Sequence, residues 1–177
     1  YVAASIQDHI RPGDDALLSA GDVDFTVASW CYLDSKPANA RIVAKYASGT
    51  GNNGYSIYFT GGATDRFQFF IRNLADDASL AIPADNFGAV SLDVWYLVVA
   101  WHDAVNDTIN IQINNTTPDS LGHADGVADD DSAFAIGAQT GGGLPWDGRI
   151  GPTMFWKSAP GGGGVLTAEE RTYLWNS

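Results

Sequence analysis

VWYLVVAWH (residues 94–102) is followed by a turn at 103–107 and then by TINIQIN (residues 108–114). The second segment alternates, with Ile109, Ile111 and Ile113 on one side and polar residues between them, which is the period of a half-buried β-strand. The first segment is the most apolar run in the chain and has strand length, well short of the ~18 apolar residues of a membrane-spanning helix. Two such segments across a polar turn predict an antiparallel hairpin.

The same grammar extends outward in both directions. DFTVASWCYL (residues 24–33) puts Phe25, Val27, Ser29, Cys31 and Leu33 on one face and Thr26, Ala28, Trp30 and Tyr32 on the other. Both faces are largely apolar, as a central strand covered on each side requires. RIVAKY (41–46), YSIYFT (55–60) and DRFQFFIR (65–72) follow, the last two pairing across Gly61-Gly62. Segments 78–82, 133–137 and 149–157 bring the set to about ten hairpin-connected strands, which predicts a sandwich of two sheets. The only convincing helix comes last: Thr167-Ala168-Glu169-Glu170 reads as a capping box, with Thr167 as N-cap and Glu170 reaching back. Leu174 and Tyr173 are expected to pack this helix onto the sandwich, after a flexible four-glycine joint at 161–164. No repeat or boundary divides the chain, so residues 1–177 read as one domain. A chain beginning at Tyr1 reads as a module of a larger protein.

Composition narrows the function. Hydrophobic residues are 45% of the 177 and aromatics 12%, a globular balance. Acids outnumber bases 21 to 9, for a net charge of −12, which opposes binding to nucleic acid or to anionic membranes; no apolar run is long enough for membrane insertion. Nineteen of the acids are Asp, the two Glu being Glu169 and Glu170. Asp favours turns and supplies oxygen to hard cations. Cys31 is the only cysteine, so there is no intrachain disulfide, and its strand context predicts a small buried hydrophobe.

The order of DFTVASW, RIVAKY, a Gly-rich loop with GYSIYF, WYLVVAWHD, TINIQIN, WDGRIGP and a terminal LTAEERTYLWN resembles the laminin-G-like, pentraxin-like branch of the concanavalin A-like lectin/glucanase superfamily, over about residues 16–176. The resemblance implies an all-β fold: a jelly-roll sandwich of two curved antiparallel sheets with a short C-terminal helix. It also implies a binding module for a polysaccharide, a surface glycan or protein partners, often with a structural calcium ion. The setting would be extracellular, on a cell surface or in a virion, where packing against other protein subunits is the alternative role. Many members carry an Ile-Asp-Glu-like run where this chain has Arg149-Ile150-Gly151-Pro152, so a calcium ligand from that position is missing. The related glucanases carry Glu-x-Asp-x-Glu on one strand, and the alginate-lyase relatives carry Arg, Gln, His and Tyr motifs. Neither set occurs here, and the two glutamates are neighbours on a helix, pointing different ways. A hydrolase or lyase is therefore the weakest reading, and no catalytic residue is assigned.

Calcium candidates are the Asp-rich turns: Asp14 and Asp15, the 129–131 run with Asp130, and Asp147. Sugar rings stack on aromatic faces, and loop aromatics are better placed for this than strand ones. Trp146 follows GGGLP, and Tyr46, Tyr55 and Tyr58 flank the Gly-rich 47–54 loop; Arg72 adds a donor. These five are the candidate ligand residues, while Trp95 and Trp101 read as core. GTGNNG (49–54) matches G-x-G-x-x-G, but a strand follows it, so it reads as a hairpin loop rather than a phosphate cradle. His9, His102 and His123 have no zinc-like spacing. His102-Asp103 reads as a hydrogen-bonded turn pair.

Overall fold

A computed structural model describes residues 2–4, 10–47, 53–129 and 131–177. Among them lie twelve strands and one helix. The first sheet runs β1 (Val2–Ala4), β12 (Gly148–Ser158), β3 (Asp24–Leu33), β8 (Trp95–Asp103), β9 (Thr108–Ile113), β10 (Asp119–Gly122). The second runs β2 (Ile10–Gly13), β11 (Phe134–Ile136), β4 (Ala40–Tyr46), β5 (Asn53–Phe59), β6 (Phe67–Arg72), β7 (Ser79–Pro83). Every pairing is antiparallel, and the result is the expected jelly-roll sandwich.

The β8–β9 hairpin forms as read, with Val98 opposite Ile113 and Trp101 opposite Asn110. Its Ile109, Ile111 and Ile113 meet Phe25, Val27, Val98, Ile57, Phe67, Phe69 and Ile71 in the core between the sheets. Three strands escape the pattern reading: β1, β2 and β10. All are short edge strands, and β10 is Asp-Ser-Leu-Gly, too brief and polar to show alternation.

β3 lies between β12 and β8, and its two apolar faces are both used. Val27 and Cys31 enter the main core, while Ala28 and Trp30 join a second cluster with Leu97, Val99, Trp101, Met154 and Trp156. The helix α1 (Ala168–Asn176) covers that second cluster with Leu174 and Trp175. The Trp175 ring stacks on Trp30 at 5.5 Å. Leu174 packs as expected, but Tyr173 does not: it is exposed, and Trp175 takes the inward position. The capping box is present, with Thr167 N donating to Glu170 Oε2 at 2.8 Å and Glu170 N donating to Thr167 Oγ1 at 3.2 Å.

The four-glycine stretch is not a free joint. Gly161 N donates to Asp24 Oδ2 at 2.6 Å, and Gly164 O accepts from Thr26 Oγ1 at 2.7 Å. A Cβ on Gly164 would stand 2.3 Å from Asp24 O. Glycine here permits close docking of the loop on β3 rather than freedom. Cys31 is a free, fully buried thiol, as expected, and burial pushes its pKa well up.

A platform on the second sheet

β5 divides its residues by parity. Tyr55, Ile57 and Phe59 point into the core, while Ser56 and Tyr58 point out. The strands beside it present Arg41 and Tyr46 from β4 and Gln68, Phe70 and Arg72 from β6 to the same outer face, the β4–β5 register shifting between Arg41 and Val43 and again between Lys45 and Tyr46. Ala44 pairs with Ser56, which pairs in turn with Phe70. The Arg41 guanidinium lies beside Ser56. Its carbon sits 4.2 Å from the Tyr58 ring centre and 4.9 Å from the Tyr46 ring centre. Nη1 donates to Ser56 Oγ at 3.3 Å, and Ser56 Oγ donates to Val43 O at 3.0 Å. Phe70 meets Tyr46 edge-on at 5.4 Å, and Tyr58 Oη donates to Gln68 Oε1.

The electrostatics follow from this burial. Arg41 is 7% exposed, and burial pulls its pKa below the ordinary arginine value, with Tyr58 and then Tyr46 opposing. Burial raises the Tyr58 phenol, and Arg41 partly offsets it. The arrangement therefore holds a cation over two aromatic rings. Arg72, also on this face, is spoken for: Nε reaches Asp76 Oδ1 at 2.8 Å, Nη1 reaches Ser79 Oγ at 2.8 Å, and Nη2 reaches Asp76 O at 2.7 Å.

The 138–146 loop comes alongside. Thr140 bridges Ala47, Thr140 N donates to Tyr46 O at 2.9 Å, and Arg41 N donates to Leu144 O at 3.0 Å. The second glycine-rich stretch thus runs beside β4 and Ala47, where the first begins. Of the first, residues 48–52 lie outside the described residues.

Two of the five candidate ligand residues prove to be core. Trp146 is 1% exposed, its N donating to Gly137 O at 2.8 Å and its Nε1 to Tyr32 O at 3.1 Å. The residue lies in the loop before β12, but its ring belongs to the main core. Tyr55 is fully buried among Phe25, Phe134 and Phe155, with Oη donating to Leu18 O at 2.7 Å. Parity separates Tyr55 from Tyr58, three residues on, and was readable in YSIYFT. Arg41 was missed, because a lone Arg in RIVAKY carries no signal until its cross-strand neighbours are known. Trp101 is core as read, but Trp95 is 38% exposed. It borders an apolar groove of about 580 Å³ beside α1, with Trp30, Gly151, Pro152, Met154, Leu174 and Ser177.

The described calcium candidates Asp14, Asp15 and Asp147 do not gather into a metal-binding group. Asp14 Oδ1 receives the fully buried Lys45 Nζ at 2.8 Å, and the same ammonium donates to Ser132 O at 3.0 Å. Asp15 Oδ1 accepts from Leu17 N at 2.9 Å. Asp147 Oδ2 accepts from Ser35 Oγ. Asp130 lies outside the described residues, as does His9. Among the described residues no three His, Cys, Asp or Glu side chains gather to hold a metal. At Asp14 an internal ammonium already supplies the positive charge, so this carboxylate does not fit a calcium ion. His102 and Asp103 do not pair. His102 Nδ1 donates to Val23 O at 2.8 Å, while Asp103 Oδ1 accepts from Val105 N and Asn106 N to shape the turn.

Two antiparallel six-stranded sheets packed as a sandwich define the class of fold. The chain belongs to the concanavalin A-like lectin/glucanase superfamily, whose model matches residues 5–162. Comparison with curated proteins returned no match. Among solved structures it is similar to domain 4 of an extracellular arabinanase from Geobacillus stearothermophilus in complex with arabinotriose (TM-score 0.66, 18% identity, 96% of this chain and 73% of that one). It is also similar to the CBM40 of the Ruminococcus gnavus IT-sialidase bound to α2,3-sialyllactose (0.65, 16%, 89% and 83%). A third is a heptameric SAP-like pentraxin from Limulus polyphemus (0.57, 16%, 93% and 80%). At these identities the likeness is one of fold.

Proposed function

We propose that the chain is a non-catalytic glycan-binding module acting outside the cell or on a surface. The observation that carries this is the outer face of the second sheet, where Tyr46 and Tyr58 flank Arg41 and Phe70 meets Tyr46. Aromatic faces there supply the apolar side of a sugar ring with a surface, and Gln68 and Arg41 supply polar groups for hydroxyls. The arabinotriose and sialyllactose complexes of the similar structures support a carbohydrate ligand. A role in catalysis has little support: Glu170 is used in the helix cap, and Glu169 shares that helix. No helix is long and apolar enough to cross a membrane.

A second reading rests on the other outer face. The apolar groove at Trp95 and α1 is suited to contact with a protein subunit, as in a surface or virion assembly. A glycan array with wild type and Tyr58→Ala, run with and without EDTA, separates the two. The glycan reading expects retention of at least one saccharide class, about tenfold weaker binding in Tyr58→Ala, and no effect of EDTA. No retention at all, or retention indifferent to Tyr58, would favour the assembly role. Loss on chelation would restore a metal to the site.

A further inference from the structure

Arg41 is unusual among the described cations. Lys36, Lys45, Arg66, Arg72 and Arg149 each meet a carboxylate. Lys157 Nζ donates to Ala16 O at 2.9 Å and Ser19 O at 2.7 Å. Arg171 donates through Nε to Gln112 Oε1 at 2.7 Å and through Nη1 to Leu166 O. Arg41 has no acid and no carbonyl among its described side-chain partners; its guanidinium makes one hydrogen bond, to a hydroxyl, at the long end of the range. Nε is buried without a partner. Nη2 has no hydrogen-bond partner among the described residues. The chain has 19 aspartates with which to neutralise an arginine, and among the described residues none is set against Arg41.

A largely desolvated cation without a counter-ion is costly unless an anion reaches it. We propose that this platform selects a carboxylate-bearing sugar, a uronic or sialic acid, whose carboxylate pairs with the Arg41 guanidinium while its ring lies against Tyr58 or Tyr46. The inference rests on the reading of this face as the glycan site and names the ligand class that face takes. Planarity favours a carboxylate over a tetrahedral sulfate. The guanidinium is planar and lies against the Tyr58 and Tyr46 rings, and a planar carboxylate extends that plane along its fork geometry. The net charge of −12 opposes an anionic ligand at a distance, but at physiological salt that field fades over about 8 Å, and the pair forms at contact.

The test is calorimetric titration with five probes: trigalacturonic acid, its methyl ester, α2,3-sialyllactose, lactose and 3′-sulfolactose. At least one acid probe is expected to bind about tenfold or more tightly than its neutral counterpart, the worth of one charge-assisted hydrogen bond. Added NaCl should shrink that margin. Arg41→Gln, and also Arg41→Lys, which keeps the charge but loses the planar fork, should erase most of it. Should either variant fold poorly, the acid and neutral comparison on wild type still decides. Equal binding of acid and neutral probes, or tightest binding of the sulfated one, overturns the proposal; if Tyr58→Ala then abolishes the binding seen, the glycan reading survives without it. Failure of both acid probes to bind also overturns it, and if the neutral probes and the array fail too, the glycan reading falls with it.

Discussion

Trp146 shows how a residue's neighbours in sequence can mislead about its neighbours in space. Three glycines, a leucine and a proline precede it, so it reads as a loop ring, yet its indole sits between the sheets with Nε1 held by Tyr32 O. Replacing it with Ala should cost about 3–5 kcal/mol of stability, the usual price of deleting a buried aromatic. Urea unfolding checks this; a near-neutral variant that lost only glycan retention would return Trp146 to the binding site. His102 offers a second test at this scale. It is 1% exposed, packed against Phe25 and His123, and its Nε2 has no partner. Burial lowers its pKa from 6.5; the Val23 carbonyl, Asp22 and Asp24 push upward without reversing this, and His123 adds to the lowering. Charging His102 is therefore harder in the folded state. Its contribution to stability is complete above pH 6.5 and is lost as pH falls through the lowered folded value. The urea midpoint should drop between pH 7 and pH 5, and His102→Gln should flatten that slope; a wild-type midpoint that rises on acidification would refute the assignment.

Elements were the most legible level. The β8–β9 hairpin, the doubly covered β3 and the capped α1 were all written in local patterns: alternation, apolarity on both faces, and Thr-x-x-Glu. Thr167→Ala should lower stability by about 1 kcal/mol, the usual worth of an N-cap, visible as a lower melting temperature with unchanged glycan binding, since α1 covers the first sheet and the platform lies on the second. A loss of binding in that variant would mean that the two outer faces communicate. What local pattern could not supply was pairing between distant strands. β12 carries Pro152, which has no N–H for a ladder, and the structure answers with a register shift against β3 between Ile150 and Thr153. Gly148 just before it has φ +147°, and a Cβ there would stand 2.0 Å from Tyr32 O. Nothing in WDGRIGP alone announces which strand's carbonyl makes that glycine necessary. The platform has the same origin: Arg41, Tyr58 and Phe70 come from three strands and become one surface only in register.

For the whole molecule, net charge was legible and its distribution was not. The excess of acid could be counted at once, but which cation would be left over depends on contacts such as Lys45 with Asp14 and Lys36 with Asp65, each spanning a long stretch of chain. The lysines repeat one theme. Lys36 also donates to Val90 O, Lys45 to Ser132 O, and Lys157 to Ala16 O and Ser19 O. Each of the three ties a loop to a strand or to another loop through backbone oxygen. Amine-reactive dyes, biotin esters and aldehyde resins would consequently find their targets among the fold's own ties, and heavy derivatisation would loosen loops before it decorated a surface. Attachment to a sensor chip or bead is better directed at the abundant aspartates on turns remote from β4, β5 and β6.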